Sequence, residues 1–178
     1  MHFKKIVGEK VYLSPRSIED AQNYALWLNN YDIAKYLNQF TKTITVEGEK
    51  DYLSRTGTNS YDFAIIDKET DELIGSISLM NINNISRTAE LGIFIGDENH
   101  LSRGYGSEAI KLLLDFGFKH ANLNNIMLKV ISFNKRALKA YEKCGFKIYG
   151  TWPKSEYVNG EYHDLIYMYI LKDDFNNK

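Results

Sequence analysis

The chain carries one cysteine, Cys144, and two prolines, Pro15 and Pro153, among 178 residues. A single cysteine cannot close an intramolecular disulfide, which excludes a small secreted scaffold held together by bridges. With two widely separated prolines, no internal repeat and no low-complexity tract, nothing reads as an interdomain linker, and one domain over residues 1–178 is expected. No apolar run is long enough to span a bilayer, and no signal-type apolar region follows Met1–Lys5. An excess of either charge is also missing: 22 Lys and Arg stand against 23 Asp and Glu, for a net charge of -1. That balance leaves no basic footprint for nucleic acid or an anionic membrane, so neither is expected as a partner. With one cysteine and neither a signal-type nor a spanning segment, a reducing cytoplasm is the expected home. His2, His100, His120 and His163 show no paired ligand spacing, and no metal site is expected. Cys144, at the end of a helical pattern, reads as core filler.

Glycine is placed where it matters. Gly104 and Gly106 lie between a β-type run and the start of a long amphipathic pattern, in Leu101-Ser102-Arg103-Gly104-Tyr105-Gly106-Ser107. At such a junction the first helical N–H groups have no intrahelical partner and sit at the positive end of the helix dipole, so the loop suits a phosphate or pyrophosphate. The spacing Gly104-x-Gly106-x-x-Ala109 also satisfies a dinucleotide fingerprint. The polar stretch Gly96–Arg103 separates it from the preceding strand, however, and no acid closes the strand near Ile131, which disfavours a nicotinamide-dependent oxidoreductase. The absence of a Gly-Lys-Ser/Thr triplet excludes a Walker A loop.

A second constellation follows the apolar run Ile126–Ile131. Asn134 is a good N-cap, Ala137, Leu138, Ala140 and Tyr141 recur at helical spacing, and Gly145 stands where a helix C-cap belongs. Together the two stretches resemble the GNAT superfamily of acyl-CoA-dependent N-acetyltransferases. The family pattern Q/R-x-x-G-x-G/A is met by Gly104 and Gly106, with Leu101 at the Q/R position, and N-x-x-A-x-x-x-Y-x-x-x-G-F by Asn134, Ala137, Tyr141, Gly145 and Phe146. Leu13–Ser17, Trp27–Asn30, Arg87–Gly92 and Asn159–Asp164 further resemble the RimJ/RimL and spermidine-acetyltransferase branch.

A coarse reading places strands near Lys10–Ser14, Tyr61–Asp67, Leu73–Asn81, Thr88–Gly96, Asn125–Ser132, Phe146–Trp152 and Tyr162–Leu171. Helices are expected at Ile18–Asn29, Val46–Thr56, Gly104–His120 and Asn134–Cys144. Strands bunched before one crossover helix imply an α+β fold with a mixed, largely antiparallel central sheet flanked by helices. The resemblance implies that the strands splay where acetyl-CoA binds.

Amide formation from an acyl thioester needs an unprotonated amine, a site for the oxyanion and a proton donor for the thiolate. An alkylamine has a pKa near 10, so about one molecule in a thousand is free base at neutral pH, and a positioned carboxylate can relay its proton away. The resemblance makes Glu90 the candidate base and Tyr141 the candidate general acid. The backbone of Ile93, Phe94 and Ile95 would serve the carbonyl and pantetheine. Leu101, Ser102, Arg103, Gly104, Tyr105, Gly106 and Ser107 would hold the pyrophosphate, and Asn134 would contact the cosubstrate. An acceptor amine is expected between the N-terminal helices and a late loop, Pro153–Asp164, with Tyr31, Tyr36, Glu156, Tyr157, Glu161 and Tyr162 holding a cation by charge and cation–π contact. The expected activity is direct acetyl transfer from acetyl-CoA to a primary amine: a polyamine, a peptide or ribosomal-protein N-terminus, or another small amine. The alternative is a non-catalytic acyl-CoA-binding sensor. The resemblance leaves room for a homodimer.

Overall fold

The computed structural model describes residues 1–37, 40–55 and 59–176. Its strands are β1 (Ile6–Val7), β2 (Val11–Pro15), β3 (Tyr61–Asp67), β4 (Leu73–Asn83), β5 (Thr88–Ile95), β6 (Asn125–Ile131), β7 (Lys147–Val158) and β8 (Glu161–Leu171). The helices are α1 (Ala21–Asn29), α2 (Tyr31–Ala34), α3 (Val46–Ser54), α4 (Tyr105–Lys119), α5 (Lys135–Cys144) and α6 (Lys172–Asn176). One sheet joins all eight strands in the order β1-β2-β3-β4-β5-β6-β8-β7. Every neighbouring pair is antiparallel except β5 and β6, which α4 connects as a crossover. This is the α+β architecture expected from the sequence.

The period-two alternation of the strands sorts their side chains onto two covered faces. Val11, Leu13, Phe63, Ile65, Ile77, Leu79, Ala89 and Leu91 join Ile110, Leu113, Leu114 and Phe118 of α4 and Leu138 and Tyr141 of α5 in the main core. Tyr12, Ala64 and Ile66 face the other way and meet Tyr24 and Trp27 of α1 and Leu53 of α3 in a second cluster. Burial on both faces explains the continuous apolar run of β3, whose residues Phe63–Asp67 are all buried.

Four local features depart from the sequence reading. Strand β1 and helices α2 and α6 were not expected, since each is five residues or fewer and shorter than a periodic pattern can register. Asn30 starts α2 by accepting the Asp32 N–H at 2.9 Å, and Thr45 starts α3 by accepting that of Gly48 at 3.0 Å. The expected end of the α3 pattern, Thr56, lies outside the described residues.

The largest correction is Pro153–Asp164, expected as a loop and found as the outer part of a long hairpin. Asn159 and Gly160 both have positive φ (53° and 82°), the two-residue turn that matches strand twist. Pro153 is tolerated because β7 is an edge strand and the register shifts between Trp152 and Glu156. Within that irregularity Lys154 has φ 52° and its N–H donates to Asp164 Oδ1 at 2.8 Å.

Candidate active site

Strands β5 and β6 pair only from Thr88, Ala89 and Glu90 to Asn125, Ile126 and Met127. Beyond that point each follows its other neighbour: β5 stays on β4 as far as Ile95 opposite Gly75, and β6 stays on β8 as far as Ile131 opposite Leu165. The sheet therefore opens as a V, leaving the backbone of residues 91–95 with no ladder partner on that side. An edge of this kind recognises an extended, amide-bearing ligand through main-chain hydrogen bonds.

A cleft of about 1040 Å³ runs through the opening. Its lining includes Glu90, Ile93, Phe94, Ile95, Leu101, Ser102, Gly104, Gly106, Ser107, Asn134 and Tyr141, which the fold thus brings together from three separate segments. At one end lies the glycine loop. Gly104 has φ 92°, a left-handed conformation costly to any residue with a Cβ, and is the N-cap of α4. Gly106 is different: a Cβ there would meet Ile95 and Ile93 only at 3.7 and 3.9 Å, ordinary contact distances. The protein's own packing does not demand glycine at 106. A ligand lying close to the backbone would.

The α5 segment explains its own motif. Asn134 caps the helix by accepting the Ala137 N–H at 3.1 Å. At the other end Gly145 (φ 105°) donates to Glu142 O and Phe146 to Tyr141 O, both at 3.0 Å, the pair of bonds of a Schellman motif. The apolar contact that accompanies this motif is made by Tyr141 and Phe146, with ring centroids 6.0 Å apart. Capping thus accounts for Gly145, Phe146 and an aromatic ring at 141, but not for a hydroxyl. Tyr141 is 8% exposed and lines the cleft, and burial, reinforced by the nearby Cys144, pushes its phenol up to about 12. It is a proton donor throughout the neutral range.

Glu90 lies across the opening on the face away from the main core. Its carboxylate pairs with Lys129 Nζ at 3.2 Å and accepts from Asn81 Nδ2 at 3.2 Å, which fixes its orientation. On the same face Ser76, Ser78 and Met80 of β4, paired with Phe94, Gly92 and Glu90 of β5, form the floor of the cleft. Above the far end of that floor Tyr24 packs edge-on against Phe94. The Tyr24 hydroxyl is buried and makes no hydrogen bond of good geometry among the described residues, although Ser76 is near. Beside it Glu49 of α3 is 6% exposed, and burial pushes its carboxyl upward against the opposing influence of Arg16. Arg16 itself pairs with Asp62 at 3.1 Å and lies over the Tyr52 ring. Glu49, Tyr24, Arg16 and the two serines escaped the sequence reading, because Glu49 sits in a charged stretch, Val46–Asp51, that reads as a solvated helix.

Of the residues expected to bind an acceptor, Tyr36 and Glu156 line the cleft, while Tyr31, Tyr157, Glu161 and Tyr162 do not. The hairpin carries Tyr157 and Tyr162 to its exposed outer end, where their rings meet at a tilt with centroids 4.9 Å apart. Tyr31 instead donates to Asn159 Oδ1, joining α2 to the hairpin turn. Lys35 Nζ already lies 5.9 and 5.4 Å from the Tyr31 and Tyr36 rings, so the cation facing them is the chain's own. Arg103 and Tyr105 also turn away from the cleft: the guanidinium donates to Asn99 O at 3.2 Å and the Tyr105 hydroxyl lies toward Asp67. Among the described residues no group of three or more His, Cys, Asp or Glu side chains could hold a metal ion, and no helix is long and apolar enough to cross a membrane.

Residues 10–147, which contain the V-shaped opening, the glycine loop and Tyr141, match the acetyltransferase (GNAT) domain. The chain belongs to the GNAT acetyltransferase family. The uncharacterized N-acetyltransferase p20 of Bacillus licheniformis is 30% identical over 172 residues, covering 94% of this chain and 96% of that protein. The spermidine N(1)-acetyltransferase of Vibrio cholerae is 33% identical over 150 residues, covering 84% and 86%. The crystal structure of spermidine N-acetyltransferase from Vibrio cholerae in complex with CoA and spermine superposes with a TM-score of 0.86 at 28% identity, covering 96% of this chain and 100% of that one. As a GNAT enzyme this chain is an N-acetyltransferase that moves an acetyl group from acetyl-CoA to an amine. A non-catalytic acyl-CoA sensor is not favoured.

Proposed function

We propose that this GNAT enzyme acetylates one end of a small acceptor carrying two or more amines, the polyamine class, with Glu90 as base and Tyr141 as acid. The observation that carries the reading is a pair of carboxylates on one cleft. Glu90 stands at the acetyl-transfer end, and Glu49 stands near Tyr24, whose ring packs on Phe94, four residues or about 13 Å along β5 from Glu90. Glu49 plays no part in bond making at Glu90, yet it is kept buried beside a phenol that lacks a good partner. A second protonated nitrogen would satisfy both. The likeness to spermidine acetyltransferases supports the same class.

In this reading acetyl-CoA supplies an activated thioester carbonyl and a thiolate leaving group. The backbone of Ile93–Ile95 orients the carbonyl end, the loop Leu101–Ser107 and the first turn of α4 take the pyrophosphate, and Asn134 lines the way between. Glu90 accepts the acceptor's proton directly or through water, and Tyr141 donates to the departing sulfur. We read residues 1–178 as one catalytic domain working in the cytoplasm, a placement supported by a lone cysteine buried in the core. The reading extends to self-association: a dodecameric structure of the Vibrio cholerae enzyme has been solved, and edge strand β7 here leaves Ile148, Tyr149 and Trp152 exposed.

The test is a series of straight-chain α,ω-diamines of increasing length, with monoamines of matching length as controls. With the wild-type enzyme kcat/KM should rise with length until the second ammonium reaches Glu49. Glu49→Gln should remove that preference, costing about tenfold on the long diamines and leaving monoamines unaffected. Equal rates across the series would refute the acceptor class. A separate check concerns Gly106. Gly106→Ala should leave the melting temperature unchanged or higher, since Ala favours the helix by about 0.5–1 kcal/mol and meets no close contact. The KM for acetyl-CoA should nevertheless rise at least tenfold. A mutant with normal KM would move the pyrophosphate elsewhere.

A further inference from the structure

The loop from Leu101 to Gly104 contains two left-handed residues, Ser102 (φ 61°) and Gly104 (φ 92°), and one of them is not glycine. Such a backbone persists only where its surroundings fix it. The residues that flank the loop, His100 before it and Tyr105 after it, converge on one carboxylate, Asp67 at the end of β3. His100 Nε2 lies 3.0 Å from Asp67 Oδ2, and the Tyr105 hydroxyl lies close enough to the same carboxylate to interact with it. The two rings meet edge to face with centroids 4.9 Å apart. Asp67 is 3% exposed, and its Oδ1 is in turn fixed by the N–H groups of Glu69 at 2.8 Å and Thr70 at 3.3 Å. The other His100 nitrogen, Nδ1, lies 2.7 Å from Asp97 Oδ2, while Asp97 Oδ1 caps the turn before the loop through Asn99 N–H at 2.9 Å. Lys10 Nζ, from the turn just before β2, adds a bond to Arg103 O at 3.0 Å.

We propose that Asp67 is a staple for the cosubstrate loop and that His100 and Tyr105 are its two arms, positioning residues that set the affinity for the pyrophosphate of acetyl-CoA. The proposal rests on the reading of Leu101–Ser107 as the pyrophosphate site. None of the three side chains needs to touch the ligand. They hold the peptide groups of the loop in the orientation that the ligand meets, so losing one arm is felt as weaker binding of the nucleotide half of the molecule and not as slower chemistry.

The experiment compares CoA with pantetheine, which lacks the pyrophosphate and nucleotide, by calorimetry, and acetyl-CoA with S-acetylpantetheine in turnover. His100→Gln and Tyr105→Phe should each weaken CoA binding about five- to tenfold, and Asp67→Asn by more. Turnover at saturating acetyl-CoA should stay within about twofold, and both pantetheine binding and S-acetylpantetheine turnover should not change. Tyr105→Phe keeps the ring and its packing, so it remains informative even where Asp67→Asn lowers stability. Unchanged CoA affinity in both arm variants overturns the proposal, as does an equal loss with pantetheine, which would mark a general loss of structure. If the wild-type enzyme binds CoA no better than pantetheine, the pyrophosphate assignment itself fails, a result separable from failure of the staple.

Discussion

Exchange of Tyr141 for phenylalanine is expected to lower kcat by about 10²- to 10⁴-fold, the span typical of losing a positioned general acid. Dissociation of acetyl-CoA should change less than about twofold. The substitution is clean because the ring has a structural task that phenylalanine can perform: it fills the apolar contact with Phe146 that closes the Schellman motif. Only the hydroxyl is lost. The direction of the pH dependence follows from burial. The acid form is the donor, and raising its pKa to about 12 moves the loss of that form upward, beyond the region of about pH 10 where an ordinary phenol would half-ionise. The kcat profile should therefore stay level through that region, with no alkaline limb from Tyr141. A phenylalanine variant with wild-type turnover would return Tyr141 to packing alone.

Glu90→Gln should lower kcat about a hundredfold, within the range for a general base, again with CoA affinity unchanged. The glutamine keeps the size of the side chain and can still bond to Asn81, so what it removes is the capacity to accept a proton. The acceptor arrives protonated at neutral pH, and its proton has to leave before or during attack. Lys129 and Asn81 hold the carboxylate in one orientation, which lets it meet the acceptor's proton. Acetyl transfer at the wild-type rate in this variant would remove Glu90 from the chemistry and leave it as the partner of Lys129.

What was legible in the sequence was local. Gly104 could be placed at the start of α4 and Gly145 at the end of α5 because left-handed caps have few other occupants, and Asn134 could be placed because an N-cap needs a short acceptor. The strand and helix patterns of the core could be read from period alone. The acceptor side was legible only in part, since of the six residues expected there Tyr36 and Glu156 line the cleft. Acids and aromatics were plentiful at Tyr31, Tyr157, Glu161 and Tyr162, but the hairpin continues straight through Pro153 and carries three of them beyond the cleft. Tyr31 and Tyr36 already face Lys35. Glu49 was missed because a buried carboxylate within Glu-Lys-Asp neighbours looks in sequence like any solvated helix.

The sequence by itself determined the α+β fold, the two glycine-bearing ends of α4 and α5, and the resemblance through which Glu90 and Tyr141 became candidates. Each of these depends on contacts within about one turn or one pleat of the chain. Only the tertiary structure decided which polar groups share a cleft. Residues 16, 24, 49, 76 and 90 meet there because β3, β4 and β5 alternate their side chains between two covered faces, and the face away from α4 collects them under α1 and α3. The loop staple is of the same kind: Asp67 reaches His100 and Tyr105 across more than thirty residues because the end of β3 lies beside the start of α4. Burial then separates the carboxylates. Glu49 is pushed toward its neutral form, whereas Asp67, although buried, is held below its ordinary range by the hydrogen bonds of its own turn and its two arms.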